Sequence, residues 1–330
     1  MLTRFLRSLV PAVAALGFAA GAQGQTATGN AVIYTSNNAE AVQTVVDIAR
    51  KRLPGMKIGT VTGGSATLLK RIEAEGAAPQ ADIFWSSSPN TLGAFKALYA
   101  PYESAEGKAV PANLHEAGKL WTACNIHVAV LMVNRNQLGG LPEPKTWKDL
   151  LDPRWKGKII VSDPASASTA YTILWGLGKV LGEDGLRAIA RNLTVSRNSS
   201  AVLKSVAQGE YAIGLTFESN AYAYVAGGQK EIKLVYPADG TFVTEESVVL
   251  VKGAPNAAAA RQLYDLLLSK ETQTELLERA FRRPSRTDID VAKHVELPNL
   301  KDIKVAPIDD QEAQDKRVAF LQAWQAMQTN

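Results

Sequence analysis

The fold is decided by residues 31–55, which read AVIYTSNNAEAVQTVVDIARKRLPG. Residues 31–35 form an apolar, β-branched run that predicts a strand, and the polar triplet Ser36-Asn37-Asn38 ends it. Apolar residues at helical spacing then run from about 39 to 53, and Pro54-Gly55 stops the helix. This stretch therefore predicts a strand, a short polar loop and a helix.

The same unit recurs along the chain. Strand patterns over 57–61 and 82–85 lead into Thr62-Gly63-Gly64-Ser65 and Ser86-Ser87-Ser88, and a helix pattern follows each loop, the second over about 90–98. This alternation predicts the α/β class, with mainly parallel sheets flanked by helices. Further strands are predicted over 125–134, 158–162, 211–217, 233–236 and 247–251, and further helices over about 170–181, 201–208, 256–268 and 309–327.

The length of the chain predicts two lobes. It has 330 residues, and single hydrophobic cores stop growing at about 250–300 residues. Segments 125–134 and 233–251 are expected to pass between the lobes as a two-segment hinge, and a cleft between such lobes is where small ligands bind. The predicted lobes comprise residues 25–124 plus 241–330 and residues 125–240, with the C-terminal helix a candidate to pack on the second lobe.

Residues 1–24 have the pattern of a cleavable signal peptide. Arg4 and Arg7 precede an apolar stretch over 9–22, and Ala22-Gln23-Gly24 places small residues at the cut. The stretch is shorter than the roughly 20 residues that a transmembrane helix needs, and no cysteine near the cut could carry a lipid. The sequence therefore predicts export to the periplasm as a soluble protein.

Charge and cysteine content argue against several classes of partner. The formal net charge is +4, and Arg4 and Arg7 contribute two of these charges. So weak a bias predicts no nucleic-acid partner. Cys124 is the single cysteine, so it forms no internal disulfide and is expected to be buried and inert.

Signatures of catalysis and metal binding are absent from the sequence. It contains no G-x-S-x-G elbow, no H-E-x-x-H and no phosphate loop ending in Gly-Lys-Ser/Thr. The three histidines, His115, His127 and His294, are scattered, and His127 lies in an apolar strand pattern that favours a structural role. We expect no enzyme, no cofactor and no metal site.

Small polar residues cluster where predicted strands lead into helices. A helix N-terminus leaves four backbone N–H groups unsatisfied and carries a partial positive charge, so hydroxyls and glycines there favour an anionic ligand. The alternative is that each loop supplies only ordinary helix caps. The candidate anion-binding residues are Ser36, Asn37, Thr62, Ser65, Ser87, Ser166, Ser168 and Thr169.

One carboxylate is a candidate to bind a cationic group of the ligand. Glu218 directly follows the predicted strand 211–217, which would place it at the cleft, whereas Glu245 and Glu246 are weaker candidates of the same kind. The alternative for Glu218 is a solvated or capping side chain. Aromatic walls of the site could come from Tyr171, Tyr222 and Tyr224, although core packing is the expected role for at least two of them.

The chain resembles a known family in four segments. They are Val32-Ile-Tyr-Thr-Ser-Asn37, the stretch from Trp147-Lys-Asp-Leu to Lys156-Gly-Lys158, Asp163-Pro-Ala-Ser-Ala-Ser-Thr-Ala-Tyr171 and Val251-Lys-Gly-Ala-Pro-Asn256. In these it is similar to the extracellular solute-binding proteins related to ferric-ion-binding proteins. The resemblance implies a periplasmic binding protein of type II that delivers a small molecule to an inner-membrane ABC permease, and we expect a monomer.

The resemblance leaves alternatives for the ligand. Ferric-ion members usually present two adjacent tyrosines, whereas here Tyr222 and Tyr224 are separated by one residue. The Tyr34-Thr-Ser-Asn-Asn-Ala-Glu40 start and the Asp163–Thr169 loop look closer to 2-aminoethylphosphonate-binding relatives. In that interpretation the hydroxyl loops bind the phosphonate and Glu218 the ammonium. Ferric iron, a phosphonate or phosphate-ester hydrolase, and a sensor subunit are the alternatives.

Overall fold

The computed structural model describes residues 29–329, so the predicted signal peptide lies outside the described residues. The strands are β1 Gly29–Thr35, β2 Met56–Thr62, β3 Ile83–Trp85, β4 Tyr99–Ala100, β5 Thr122–Asn134, β6 Ile159–Ser162, β7 Leu193–Ser196, β8 Ile213–Phe217, β9 Ile232–Val235, β10 Val243–Val251 and β11 Arg283–Pro284. The α-helices are α1 Ala39–Arg52, α2 Ser65–Glu75, α3 Pro89–Leu92, α4 Ser168–Ala190, α5 Ser199–Ala207, α6 Glu218–Ala226, α7 Ala257–Leu268, α8 Lys270–Ala280, α9 Asp310–Asp315 and α10 Arg317–Thr329. Within residues 29–329, no helix is both long and apolar enough to cross a membrane.

The first sheet aligns three strand ends. Strand β1 pairs in parallel with β2 and β3, and Thr35 lies opposite both Thr62 and Trp85. Because parallel strands all end at the same edge of a sheet, the loops that follow β1, β2 and β3 leave side by side. The recurrent strand–loop–helix pattern of the sequence thus brings three polar loops to one edge.

The second sheet repeats this arrangement. Strand β6 pairs in parallel with β7 and β8, and Ser162 lies opposite Ser196 at the shared end of β6 and β7. The loop after β6 leads into α4 and the loop after β7 leads into α5. These two loops also leave from one edge.

One long strand, β5, connects the sheets. The first half of β5 pairs antiparallel with β10, over Thr122–Val128, and its second half pairs antiparallel with β8 and β9, over Ala129–Asn134. A single strand therefore belongs to both sheets, and β10 lies beside it. These are the segments that the sequence predicts as the hinge.

Separate hydrophobic cores form under the two sheets. One core is made by residues of β1, β3, α1, α7 and α8. Another lies between the second sheet and α4, where Trp147 stacks on Phe242 with ring centroids 5.3 Å apart. Trp324 of α10 packs into the latter core and is 4 % exposed, so the C-terminal helix covers the second sheet.

Two predicted helices differ from the structure at their ends and in their continuity. Over 90–98, α3 ends at Leu92 and a 3₁₀ turn continues to Leu98. A Cβ on Gly93 would lie 1.7 Å from the Gln314 side chain, so this turn is packed directly against α9. The predicted helix 309–327 is likewise divided, with Lys316 between α9 and α10.

Candidate functional site

The polar edges of the two sheets face each other across a cavity of about 780 Å³. This volume is typical of ligand sites, which measure roughly 300–1,000 Å³. All eight residues predicted to bind an anion line it: Ser36, Asn37, Thr62, Ser65, Ser87, Ser166, Ser168 and Thr169.

Four serine hydroxyls converge at the centre of the cavity wall. Ser65 Oγ lies 3.0 Å from Ser36 Oγ, 3.1 Å from Ser86 Oγ and 3.5 Å from Ser168 Oγ, and Ser36 and Ser86 are also hydrogen-bonded. Three of these serines come from the first sheet and Ser168 comes from the second. Since a hydroxyl both donates and accepts hydrogen bonds, this serine cluster can turn donors toward an anion.

Two helices begin at the serine cluster without a side-chain cap. The N-cap residues are Gly64 for α2 and Ala167 for α4, and neither forms a side-chain capping bond. By contrast, Asn38 caps α1 and Asn198 caps α5 through their side chains. The helix-cap alternative therefore fits Asn38 and Asn198, whereas Ser65 and Ser168 lie inside the first turns of their helices and leave N–H groups for other acceptors.

The lobes touch at this point. The backbone N–H of Ala66 donates to the carbonyl of Ser166 at 3.3 Å. A Cβ on Gly64 would lie 2.6 Å from the same carbonyl oxygen. A side chain at residue 64 would thus hold the two sheets apart.

The backbone of Ser87 is strained, and its side chain makes no hydrogen bond within the described residues. Its φ is 77°, in the left-handed region that costs most residues about 1–2 kcal/mol. Its hydroxyl is buried and has no partner among the described residues. Strain of this kind persists where the surrounding structure enforces it and is common at ligand sites.

The cavity is also lined by two cationic residues that were not identified from the sequence. Arg197 follows β7 and Lys204 lies on α5, and within residues 29–329 neither side chain forms an ion pair. Strand β7 spans only four residues, Leu193–Ser196, and was not predicted, so the loop that carries Arg197 had no assigned place in the sheet. The strand pattern over Leu193–Ser196 and the helix-capping residue Asn198 after it could have revealed this loop.

Three buried charged or titratable residues lie where the hinge strands meet the cavity. His127 of β5, Glu246 of β10 and Arg282 line it, and we call them the cleft floor. Glu246 accepts hydrogen bonds from Arg282 Nη1 at 3.0 Å and from Asn125 Nδ2 at 2.9 Å. Its other oxygen, Oε1, lies 3.8 Å from His127 Nε2, and the His127 ring stacks on Phe217. The expectation that His127 is merely structural overlooked this position.

The protonation of the cleft floor follows from burial and pairing. Burial lowers the pKa of His127 below its ordinary value, although Glu246 opposes the shift. Burial alone would raise the pKa of Glu246, but Arg282, His127 and Asn125 outweigh it and hold that pKa below its usual range. Near neutral pH, Glu246 and Arg282 therefore form an ion pair beside a neutral imidazole. Because that pair is neutral, the charges of Arg197 and Lys204 make the cavity positive overall.

Glu218 does not lie where the sequence placed it. Its carboxylate accepts hydrogen bonds from Arg283 Nε at 2.6 Å, Arg283 Nη2 at 2.8 Å and the Tyr236 hydroxyl at 2.5 Å. It is 2 % exposed and is not among the residues that line the cavity. Because both oxygens are already bonded, Glu218 is a brace between α6 and β11, and Glu246 is the carboxylate of the cavity.

The predicted aromatic walls are also displaced. The Tyr171 ring is fully buried under Arg317, whose guanidinium carbon lies 4.0 Å from the ring centroid. Tyr222 packs against Phe281 with centroids 5.0 Å apart, and Tyr224 packs in a core beside the second sheet. None of these tyrosines lines the cavity. Within residues 29–329, no group of three or more His, Cys, Asp or Glu side chains could hold a metal ion.

Residues 78–316 match the bacterial extracellular solute-binding proteins. The chain belongs to this family. It is 26 % identical to an Fe(3+)-binding periplasmic protein of Serratia marcescens over 315 residues, 91 % of each chain. It is 25 % identical over 251 residues, 71 % of each chain, to a Salmonella typhi protein provisionally named as a 2-aminoethylphosphonate-binding periplasmic protein.

A solved structure supports the fold in the same way. The Actinobacillus pleuropneumoniae periplasmic binding protein AfuA, with fructose-6-phosphate bound, superposes with a TM-score of 0.84. The superposition covers 92 % of this chain and 99 % of AfuA at 24 % identity. The predicted type II periplasmic-binding-protein fold is thereby confirmed. This extracellular solute-binding protein is the solute-binding component of an ABC importer.

Proposed function

We propose that this protein binds an organophosphonate or phosphate monoester between its lobes, with 2-aminoethylphosphonate as the specific ligand predicted from the sequence. The lobes, at residues 25–124 plus 241–330 and 125–240, would close around the ligand by bending at β5 and β10. The closed monomer, in the periplasm, would then dock on an inner-membrane permease.

The convergence of uncapped helix starts, serine hydroxyls and unpaired cations carries this proposal. A phosphonate dianion has three acceptor oxygens and two negative charges, which match the donors of the serine cluster and the charges of Arg197 and Lys204. Each charge-assisted hydrogen bond contributes about 1.5–3 kcal/mol. Four or five such bonds contribute about 6–15 kcal/mol, and the upper part of this range leaves micromolar affinity, about −8 kcal/mol, after ordering costs of about 4 kcal/mol.

The relatives divide between phosphorus-containing anions and iron. The Salmonella protein is named for a phosphonate and AfuA was solved with a sugar phosphate, whereas the Serratia protein is named for Fe(3+). The position of Tyr222 and Tyr224 outside the cavity favours the phosphorus-containing ligand, because phenolates are the side chains that suit a hard trivalent cation.

Removing the two unpaired cations tests the proposal. In the double variant Arg197→Gln with Lys204→Gln, calorimetry should show ethylphosphonate binding at least about tenfold more weakly than in the unchanged protein. At higher salt the difference in Kd between the variant and the unchanged protein should become smaller, because both cations are exposed and salt screens their charges.

A matched control changes two exposed cations away from the cavity. Arg187→Gln with Lys230→Gln removes the same formal charge and should leave ethylphosphonate affinity within about twofold. Equal affinities of the site variant and the unchanged protein would contradict the proposal. So would tight binding of ferric citrate with no heat from any phosphonate.

A further inference from the structure

The cleft floor contains buried polar atoms that the anion site leaves unpaired. His127, Glu246 and Arg282 are 7 %, 3 % and 3 % exposed, yet all three line the cavity. Buried polar groups are nearly always hydrogen-bonded in native proteins. An unpaired group beside a ligand cavity therefore points to a partner on the ligand.

The unpaired atoms are mainly acceptors. Oε2 of Glu246 is taken by Arg282 and Asn125, whereas Oε1 is 3.8 Å from His127 Nε2, beyond hydrogen-bond distance. His127 Nδ1 has no hydrogen-bond partner among residues 29–329. The negative charge of Glu246 favours a proton on Nε2, which leaves Nδ1 of the neutral ring as an acceptor.

Arg282 adds one donor to this set. Its Nε is buried and has no hydrogen-bond partner in the described part of the chain, while Nη1 donates to Glu246. The floor thus offers two acceptors and a donor, with the Glu246 and Arg282 charges cancelling. An alkyl group placed there would leave all three atoms without a hydrogen bond, and each buried unpaired atom would weaken binding.

We propose that the cleft floor binds a hydrogen-bond-donating group, an amine or a hydroxyl, on the organic end of the anionic ligand. The inference rests on the proposed function, because the serine cluster must hold the anionic end first. It transfers the selective role from Glu218 to Glu246 and His127. The 780 Å³ cavity leaves space for an organic part between the two ends.

Three ligands that differ in one group test the proposal on the unchanged protein. Ethylphosphonate, 2-hydroxyethylphosphonate and 2-aminoethylphosphonate share the anionic end, and at least one of the latter two should bind about tenfold more tightly than ethylphosphonate. Calorimetry measures the three Kd values. A preference for the amine, the hydroxyl or both identifies the donor.

Two matched variants locate the selectivity. Glu246→Gln and Glu218→Gln each neutralise a buried carboxylate paired with an arginine, but only Glu246 lines the cavity. We expect Glu246→Gln to reduce the preference over ethylphosphonate to about threefold or less, and Glu218→Gln to preserve it. His127→Phe, which keeps a stacking ring, should act like Glu246→Gln.

The outcomes separate this inference from the proposed function. Equal Kd values for all three phosphonates in the unchanged protein would overturn the role of the floor while the anion site stands. Selectivity lost in Glu218→Gln but kept in Glu246→Gln would also overturn it. If no phosphonate binds at all, the proposed function fails and the inference fails with it.

Discussion

Gly64 and Ser166 set how closely the two lobes approach. A Cβ at residue 64 would lie only 2.6 Å from the carbonyl oxygen of Ser166. Because that oxygen belongs to the backbone, it cannot rotate out of the way as a side chain can. The sequence showed glycines in this loop but could not show why, since Ser166 is about a hundred residues away in the chain.

Substituting Gly64 should weaken closure more than stability. In Gly64→Ala, phosphonate affinity should fall about tenfold or more, because the closed contact is blocked, while the melting temperature of the unliganded protein changes little. Calorimetry and small-angle scattering measure the two effects. Gly59→Ala is the control, because its Cβ would make only ordinary contacts in β2. A Gly64→Ala protein that binds and compacts normally would contradict this account.

Glu218 shows what local sequence cannot supply. Its place after an apolar strand correctly indicated a strand end, but the partner that decides its role, Arg283, lies 65 positions further along the chain. The same limit applies to Glu246, whose partner Arg282 lies 36 positions further along the chain. Side-chain pairing across the hinge depends on the tertiary structure, so the sequence could not show that Glu246 lines the cavity and Glu218 does not.

Glu218→Ala should therefore destabilise the protein. It leaves the buried Arg283 guanidinium without its carboxylate, and breaking such a pair typically costs about 3–5 kcal/mol. Urea denaturation should show this loss, whereas the exposed Glu73→Ala should change the free energy of unfolding by less than about 0.5 kcal/mol. A loss below about 1 kcal/mol would contradict the assignment of Glu218 as a brace.

Strands followed by helices were the elements that the sequence predicted well. Each of β1, β2 and β3 has a distinct apolar run, a polar break and a helical pattern close by, so local information suffices. Element ends were less predictable where tertiary contacts decide them, as at Gly93 against Gln314. Strand β7 was not predicted, because its four residues, Leu193–Ser196, show little periodicity. Arg197, which follows this strand, was missed for the same reason.

Helix α9 brings a second carboxylate near the hinge. Burial and the charge of Asp310 raise the pKa of Glu245 in β10 to about 7. Burial likewise raises the pKa of Asp310 to about 6, although a hydrogen bond from Asn90 opposes it. Folded protein thus retains protons that the unfolded chain releases near its ordinary carboxyl pKa of about 4.

The sign of the resulting pH dependence is fixed. The contribution of these carboxylates to stability grows as pH falls from about 8 to 5.5, because the folded state binds more protons over that window. Glu245→Gln should raise the free energy of unfolding by roughly 1–3 kcal/mol at pH 8 and by less than about half as much at pH 5.5, where only the unfolded state still releases the proton. Urea denaturation at both pH values measures this, with Glu73→Gln as the control. An equal effect at both values would contradict the burial of a titrating Glu245.

The whole molecule is organised by β5, the strand that belongs to both sheets, and by β10 beside it. Because β5 and β10 run through the floor of the cavity, bending them would change the distance between the three serines of the first lobe and Ser168, Arg197 and Lys204 on the other. The length of the chain and its two apolar crossing segments predicted this arrangement. The surplus of positive charge in the cavity could not be predicted, because the residues that produce it lie in loops that are far apart in the sequence.

Calorimetric titration of ligand-stripped protein with 2-aminoethylphosphonate, ethylphosphonate, putrescine and ferric citrate tests the central claim most directly. The account predicts one site per chain, heat from both phosphonates with micromolar or tighter affinity for 2-aminoethylphosphonate, and no saturable heat from putrescine. Saturable binding of ferric citrate alone, or of the amine alone, would contradict the interpretation of the serine cluster, Arg197 and Lys204 as a site for a phosphorus-containing anion.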